Sequence, residues 1–461
     1  MIYALLRAVA GIALRWFYRD IDVRGVERIS RDRPLLLAVN HPNALVDALI
    51  VGWVVPRRVL ITAKSTLFKN PLAGALLSWL GVLPLRRASD ERRGTAGPDR
   101  ARNEETFRAV YEALRRRAAV LIFPEGKTHD EPSLAPLKTG AARMALHARD
   151  SGDVPRLMIV PIGLTFERKD EPRTRVYVHV GEPIAMDEWQ APSHGQPVEA
   201  LTDEIETRLR AVTLNYETND DASRATALAA VVAALFSEVP ELRDPHRRLG
   251  SEAEIARRIE ELRAELPAAD AEARARADAL VHRLDGLQRD VAARGLAIED
   301  IGITTRVRDA ARFIVREGWL LLFAGPLAIW GRVNHYLPFH AARAIAARSV
   351  ASAADPAMRT IVAGAVLVLL AYLAQASLVA WLVGPLAALL YLVSLPIAAD
   401  LNFYLSERLS RAVCRARTFL SFRRDPGLHR RLQLELEGLR HEALALDATL
   451  RGAPERMRAS G

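Results

Sequence analysis

From residue 360 to residue 399 the chain carries no charged side chain. A helix needs about 20 apolar residues to cross the hydrocarbon of a bilayer, so this stretch admits two crossing helices. Gly384-Pro385 interrupts it and supplies the break between them. Basic residues flank both ends: Arg343, Arg348 and Arg359 before, then Arg408, Arg411, Arg415 and Arg417 after. Positive charge collects on the cytoplasmic side, so a hairpin with both ends there satisfies the pattern and one crossing does not. The expectation is a transmembrane helical hairpin with spans near 361–381 and 383–399, inside a membrane region of residues 311–405. Residues 319–330 form a shorter apolar stretch, broken by Gly325-Pro326, that reads as re-entrant or interfacial.

The hairpin leaves most of the 461 residues to fold elsewhere, more than one compact core usually holds. Between residues 21 and 216, short apolar runs at 35–39, 58–61, 82–85, 119–122, 157–162 and 175–180 read as strands. Helix-like segments at 44–55, 71–80, 102–117, 137–148 and 198–212 alternate with them, which predicts an α/β domain with a largely parallel sheet. Residues 89–99, rich in Arg, Gly and Asp, read as a loop. In the N-terminal segment 1–20, residues 1–18 are apolar but interrupted by Arg7 and Arg15, which suits a helix lying on a membrane or packing on the domain better than one crossing a bilayer. From residue 219 the composition shifts to Ala, Glu, Arg and Leu. The segment 217–310 is expected to be helical, with 252–294 a hairpin or coiled-coil-like pair split at Pro267, and 406–461 a cytoplasmic helical tail.

The formal charge of +9 suits nucleic acid, anionic membrane or phosphorylated substrates alike. No run of Lys and Arg interleaved with aromatics favours nucleic acid, so none is expected as a partner. Cys414 is the single cysteine, which excludes internal disulfides and cysteine-cluster metal sites.

Four blocks inside the α/β region carry groups suited to chemistry. In Asn40-His41-Pro42-Asn43, turn residues end the first buried strand, and Asp47 follows on the next helix. Six positions at about 100° each would put His41 and Asp47 on different faces of one helix, so they meet only if the chain turns between them. Gly81 to Arg87 delivers Arg86 and Arg87 at a strand end, where guanidinium forks suit phosphate oxygens; Lys64 and Lys69 lie upstream. In Phe123-Pro124-Glu125-Gly126, a carboxylate suited to hydrogen-bonding a substrate or orienting a basic side chain precedes a glycine that permits close backbone approach. His129 follows as a second acid/base candidate, and the block continues to Lys138 before a helix start. Val160-Pro161 lies on a strand that reads as a pocket wall.

In this order the blocks resemble those of the glycerophospholipid acyltransferase superfamily: Asn-His…Asp, a Gly-to-Arg block, Phe-Pro-Glu-Gly and a Val-Pro strand. The resemblance covers about residues 20–215. It implies a membrane-bound enzyme moving a fatty acyl group from a thioester donor, acyl-CoA or acyl carrier protein, to a hydroxyl of glycerol 3-phosphate or a related phosphorylated glycerol in phospholipid biosynthesis. It also implies His41 and Asp47 as the catalytic pair, with Arg86, Arg87, Glu125, Gly126, Lys64 and Lys138 binding substrate. Neither metal nor cofactor is expected. Five residues separate His41 from Asp47, where the family usually has four. That spacing, with the Gly126–Asp130 and Pro136–Gly140 sequences, is most similar to the fungal-type glycerol-3-phosphate branch. Acylation of lysophosphatidic acid or another lysophospholipid is the alternative, and an inactive scaffold is a third. The implied location is the inner cell membrane, with catalytic domain and C-terminus cytoplasmic.

Overall fold

The computed structural model describes residues 2–64, 83–85, 100–191, 196–235, 248–265, 271–348 and 356–459. It divides into two compact units, Met1–Ala222 with Ala351–Met358, and Ser223–Val350 with Arg359–Gly461. The expected helix at 71–80 and loop at 89–99 lie outside the described residues.

The first unit contains helix α1 (Ile2–Phe17), strands β1 (Asp20–Arg24) and β2 (Leu35–Val39), helix α2 (Ala44–Val54), and strands β3 (Val59–Lys64) and β4 (Leu83–Leu85). Helix α3 (Arg100–Arg115), β5 (Ala119–Ile122), α4 (Gly140–Asp150), β6 (Met158–Phe166), β7 (Arg175–Val180), β8 (Ile184–Ala185) and α5 (Pro197–Arg210) follow. The eight strands form one sheet in the order β1-β7-β6-β2-β5-β3-β4, with β8 beside β6. All pairings are parallel except those of β6 with β7 and β8. The largely parallel sheet expected from the sequence is therefore present.

Strand β2 lies between β5 and β6, and every one of its residues is fully buried. A strand covered on both faces has no polar side to alternate with, hence the unbroken run Leu35-Leu36-Leu37-Ala38-Val39. Leu36 and Ala38 pack on one face with Val120 and Ile122 of β5, Ala142 and Ala145 of α4, and Leu201, Ile205 and Leu209 of α5. Replacing such a leucine by alanine costs about 2–5 kcal/mol. Pairing Leu35 with Ala119 and Met158 brings the C-terminal ends of β2 and β5 side by side, next to the middle of the longer β6. Ligands of open parallel sheets bind beyond such ends.

Two boundaries differ from expectation for local reasons. Helix α4 starts at Gly140, because the Lys138 amide bonds to the Pro124 carbonyl (2.8 Å) and holds the preceding residues in a turn. Strand β6 extends to Phe166 because antiparallel β7 pairs with it from Ile162 to Phe166. Helix α1 packs Leu14 and Phe17 into the domain, and the Arg7 guanidinium bonds to the Trp53 carbonyl of α2 (2.8 Å), while Val9 and Ile12 stay exposed.

From residue 219 the described chain is helical: α6 (Asn219–Leu235), α7 (Arg248–Glu265), α8 (Ala271–Ala293), α9 (Val307–Arg348), α10 (Pro356–Leu382), α11 (Pro385–Arg424) and α12 (Pro426–Ala459). The α8 stripe Leu280, Leu284, Leu287 and Val291, at helical spacing, packs with Leu432 and Leu439 of α12. Helices α7 and α8 lie on either side of Pro267, as the expected hairpin or coiled-coil-like pair requires, and α8 in addition pairs with the tail helix. Three helices, α9, α10 and α11, contain stretches long and apolar enough to cross a membrane. The hairpin of the sequence reading is α10 with α11, joined at Gly384. The stretch 319–330, expected to be a short broken segment, instead belongs to one continuous helix that runs through Pro326 and Pro338. A proline in an apolar helix costs one backbone bond, and neighbouring helices compensate for it. Here α10 does so at Pro338: the Gln375 side chain donates to the Asn334 carbonyl (3.4 Å), which the proline leaves without its helical partner. Glu317 on α9 pairs with Arg408 on α11 (2.6 Å), and Asn334 accepts from Tyr391 (2.5 Å), so the two helices run antiparallel.

Candidate active site

Beyond Val39 the chain turns through Asn40 to Asn43 into α2. Asn40 extends the ladder with its side chain: Nδ2 donates to the Leu164 carbonyl (3.0 Å), and Oδ1 accepts the Leu164 amide (2.7 Å). Asn43, the residue before α2, donates its amide to Asp47 Oδ2 (2.8 Å) and its side-chain Nδ2 to the Lys169 carbonyl (3.0 Å) and the Tyr18 hydroxyl (3.2 Å). The loop is fastened at both ends.

That fastening brings His41 and Asp47 together. His41 Nδ1 lies 3.0 Å from Asp47 Oδ2, and both residues are buried. Because Oδ2 already accepts the Asn43 amide, it is an acceptor toward the imidazole, which fixes the proton on Nδ1. Nε2, at the ring's other edge, is then the nitrogen with basic character. Between His41 and Asp47, Ala44 takes a left-handed conformation (φ 43°) as the helix begins. The His41 ring stacks on Phe123 (centroids 3.7 Å apart, planes at 16°). Burial pushes the Asp47 carboxyl well above the ordinary carboxylate range; the Asn43 amide and the Lys169 charge oppose that shift, and Glu125 adds to it.

Glu125 follows the adjacent strand β5 and is also buried. Its Oε1 accepts the His41 amide (2.8 Å), and its Oε2 accepts the Ala135 amide (2.9 Å) and contacts His129 Nε2. His129 accepts the Glu131 amide at Nδ1 (3.2 Å), so Nε2 carries the hydrogen it donates to Glu125. The carboxylate thus joins two loops and orients a basic side chain. Gly126 closes a turn onto the Phe123 carbonyl (3.1 Å) at φ +74°, a conformation that side chains disfavour. Lys138 is exposed beside Gly126. A cavity of about 280 Å3 opens here, lined among others by Asn40, His41, Glu125, His129, Asp130 and Lys169. Lys138 is not part of its wall. Lys64 ends β3, paired with Leu85, while Arg86 and Arg87 lie outside the described residues.

Residues 20–165 match the family described as Acyltransferase. Residues 20–165 thus carry an Acyltransferase-family domain, consistent with the glycerophospholipid acyltransferase superfamily. Over 117 residues, 24% of this chain and 16% of the relative, the sequence is 38% identical to glycerol-3-phosphate O-acyltransferase 2 of Saccharomyces cerevisiae. Over 201 residues, 42% of this chain and 59% of the relative, it is 29% identical to 1-acyl-sn-glycerol-3-phosphate acyltransferase of Cocos nucifera. The chain therefore aligns with less than two thirds of either relative. A crystal structure of a 1-acyl-sn-glycerophosphate acyltransferase from Thermotoga maritima aligns with 45% of this chain and 78% of its own, at 19% identity and a TM-score of 0.33.

The sequence reading of the acyltransferase domain missed Tyr18, Asn43 and Lys169 as members of the site. Tyr18 and Lys169 stand 25 and 126 residues from Asn43, and only the folded sheet brings them to it. A lysine in the turn directly after the Val160-Pro161 strand was the available signal.

Proposed function

We propose that the chain is a membrane-bound O-acyltransferase that moves a fatty acyl group from an acyl thioester to a hydroxyl of glycerol 3-phosphate or a related phosphorylated glycerol. The observation that carries the reading is the 3.0 Å contact of His41 Nδ1 with Asp47 at a cavity beyond the strand ends. Nε2 of His41 takes the proton of the acceptor hydroxyl as its oxygen attacks the thioester carbonyl. The tetrahedral intermediate collapses, the carbon–sulfur bond breaks, and the imidazolium returns the proton to the departing thiolate. Asp47 holds the tautomer and stabilises the imidazolium, as in a triad whose serine is replaced by the substrate's own hydroxyl. No acyl-enzyme forms. Arg86, Arg87, Lys64 and Lys138 supply positive charge for the acceptor phosphate, and Glu125 and Gly126 shape the loop beside it. The donor is acyl-CoA or an acyl carrier protein thioester.

Three apolar helices support the membrane assignment. The basic residues that flank the α10–α11 hairpin on both sides support a cytoplasmic catalytic domain and C-terminus at the inner cell membrane. The acceptor is read from the relatives. Identity is higher to the yeast glycerol-3-phosphate enzyme, and coverage is greater for the coconut enzyme, whose name specifies 1-acylglycerol 3-phosphate. The latter acceptor is the second reading.

The deciding assay supplies purified, detergent-solubilised protein with long-chain acyl-CoA and either glycerol 3-phosphate or lysophosphatidic acid, beside His41→Ala. Product from glycerol 3-phosphate, reduced by about 10²–10⁴-fold in the variant, is the expected result. Product from lysophosphatidic acid alone selects the second reading. Wild-type turnover in His41→Ala would remove the mechanism.

A further inference from the structure

Lys169 fastens the loop through its backbone carbonyl and its ammonium, and the ammonium also meets an anion that the fastening does not require. Its backbone carbonyl accepts Asn43 Nδ2, but its ammonium reaches separately into the cavity wall, donating to the Pro42 carbonyl (3.1 Å) and pairing with Asp130. The cation is thereby held next to the residue that follows His41. Three other charged groups of the wall are committed elsewhere. Glu125 serves the His41 and Ala135 amides and His129, Glu167 is engaged by Arg175 (3.1 Å), and Arg168 pairs with Glu171 (3.1 Å). The Asp130 side chain, by contrast, is 80% exposed while that of Lys169 is 28% exposed. An ion pair with one partner in water is weak. A phosphate monoester brings more charge and three acceptor oxygens to the same ammonium, and binds it more strongly than one solvated carboxylate.

We propose that Lys169 is an acceptor-specificity residue: its ammonium exchanges Asp130 for the phosphate of the acceptor, while the Pro42 carbonyl keeps it beside His41. The inference rests on the acceptor being a phosphorylated glycerol. Three carbons separate that phosphate from the farthest hydroxyl, so a cation anchored one residue from the base suits the length of the molecule. Asp130 is the internal anion that the phosphate displaces. Closed, the pair shields the cavity from other anions; opened, it leaves the ammonium to the substrate.

The test measures binding of glycerol 3-phosphate by calorimetry to the full chain in detergent, with acyl transfer followed in parallel. The proteins are wild type, Lys169→Ala, Lys169→Arg, Asp130→Asn and the double variant Lys169→Ala/Asp130→Asn. Lys169→Ala is expected to weaken binding and raise KM by about tenfold or more. Lys169→Arg recovers part of that loss, since it restores the charge with different geometry. Asp130→Asn tightens binding severalfold, and loses this effect in the double variant because the competition it relieves no longer exists. A Lys169→Ala protein with unaltered affinity and lowered kcat would reduce Lys169 to a loop fastener and overturn the proposal. So would weaker binding in Asp130→Asn, a substitution at an exposed side chain that leaves the packing intact. Wild type that binds glycerol 3-phosphate through Lys169 yet acylates no acceptor leaves the proposal standing and refutes the acyl-transfer reading. Wild type that acylates it with no dependence on Lys169 does the reverse.

Discussion

Both units bury polar side chains, but in opposite arrangements. At the ends of β2 and β5, Asp47, Glu125 and Asn43 tie down backbone and imidazole from behind, and the rings they orient face a cavity. In the helical unit, Asn334 joins Tyr391, His335 joins Tyr372 (2.7 Å), and Trp330 joins Ser394 (3.3 Å) across α9, α10 and α11. These groups satisfy one another. Hydrogen bonds between apolar helices fix which faces meet, because the alternative is a polar group in hydrocarbon. The first arrangement directs chemistry outward, while the second specifies packing. Substitutions in the two places therefore have different consequences.

The largest separation is expected from Asp47→Asn. Asparagine retains an oxygen for the Asn43 amide but removes the charge that holds the His41 tautomer. Turnover should fall on the order of 10²–10⁴-fold in the acyl-transfer assay. Stability should move the other way. Burial raises the folded-state pKa of Asp47 above its ordinary value of 3.8, so the folded protein holds that proton more tightly than the unfolded chain. Its contribution to stability is complete below the ordinary value and is lost as pH rises through the raised one. Asp47→Asn should consequently melt no lower than wild type at neutral pH, with the difference increasing from pH 4 upward. A variant that loses activity only because it unfolds would place Asp47 in the packing class with Asn334 and erase the contrast.

Gly331→Leu probes the other side. A Cβ at Gly331 would stand 2.1 Å from the Ala398 carbonyl oxygen, so α9 and α11 meet there backbone to backbone. Any side chain must push them apart, which costs about 1–3 kcal/mol in an already packed interface. The expected outcome is easier proteolysis or a lower melting temperature of the helical unit in detergent, whereas the same substitution at Gly318, with nothing within 4 Å of its Cβ position, has little effect. Equal tolerance at both positions would mean that α9 and α11 are not held by this contact.

What the sequence made legible follows the same physics. Strands β2 and β5 have the expected bounds because buried strands of a largely parallel sheet need continuous apolar runs, and β7 keeps its bounds although Arg175 and His179 interrupt its run. Strand β1, Asp20-Ile21-Asp22-Val23-Arg24, was not anticipated: it is an edge strand whose charged residues hide the pattern. His41 and Glu125 were legible as polar residues just past apolar strand ends, and Asp47 as a carboxylate on the helix that follows the first of them. Their fastening was not, because Asn40 to Leu164 and Asn43 to Lys169 are contacts across more than a hundred residues. In the helices, charge-free length revealed α10 and α11, while Gly325-Pro326 disguised α9, since proline signals a break only where no neighbouring helix supports the chain.

The smallest effect concerns the five-residue spacing itself. Ala44 holds φ at 43°, and a left-handed conformation costs a side-chain-bearing residue about 1 kcal/mol that glycine does not incur. Ala44→Gly should therefore stabilise the loop by about that amount, slowing hydrogen exchange at the Asn43 and Val46 amides about fivefold. The amides are suitable reporters because they bond to Asp47 Oδ2 and the Asn43 carbonyl, the two contacts that set the turn. Turnover should stay within about twofold of wild type, since the glycine keeps the backbone that brings His41 to Asp47. Faster exchange together with lost activity would mean that the alanine methyl packs to hold the turn, and that the turn is set by contact rather than by a strained dihedral.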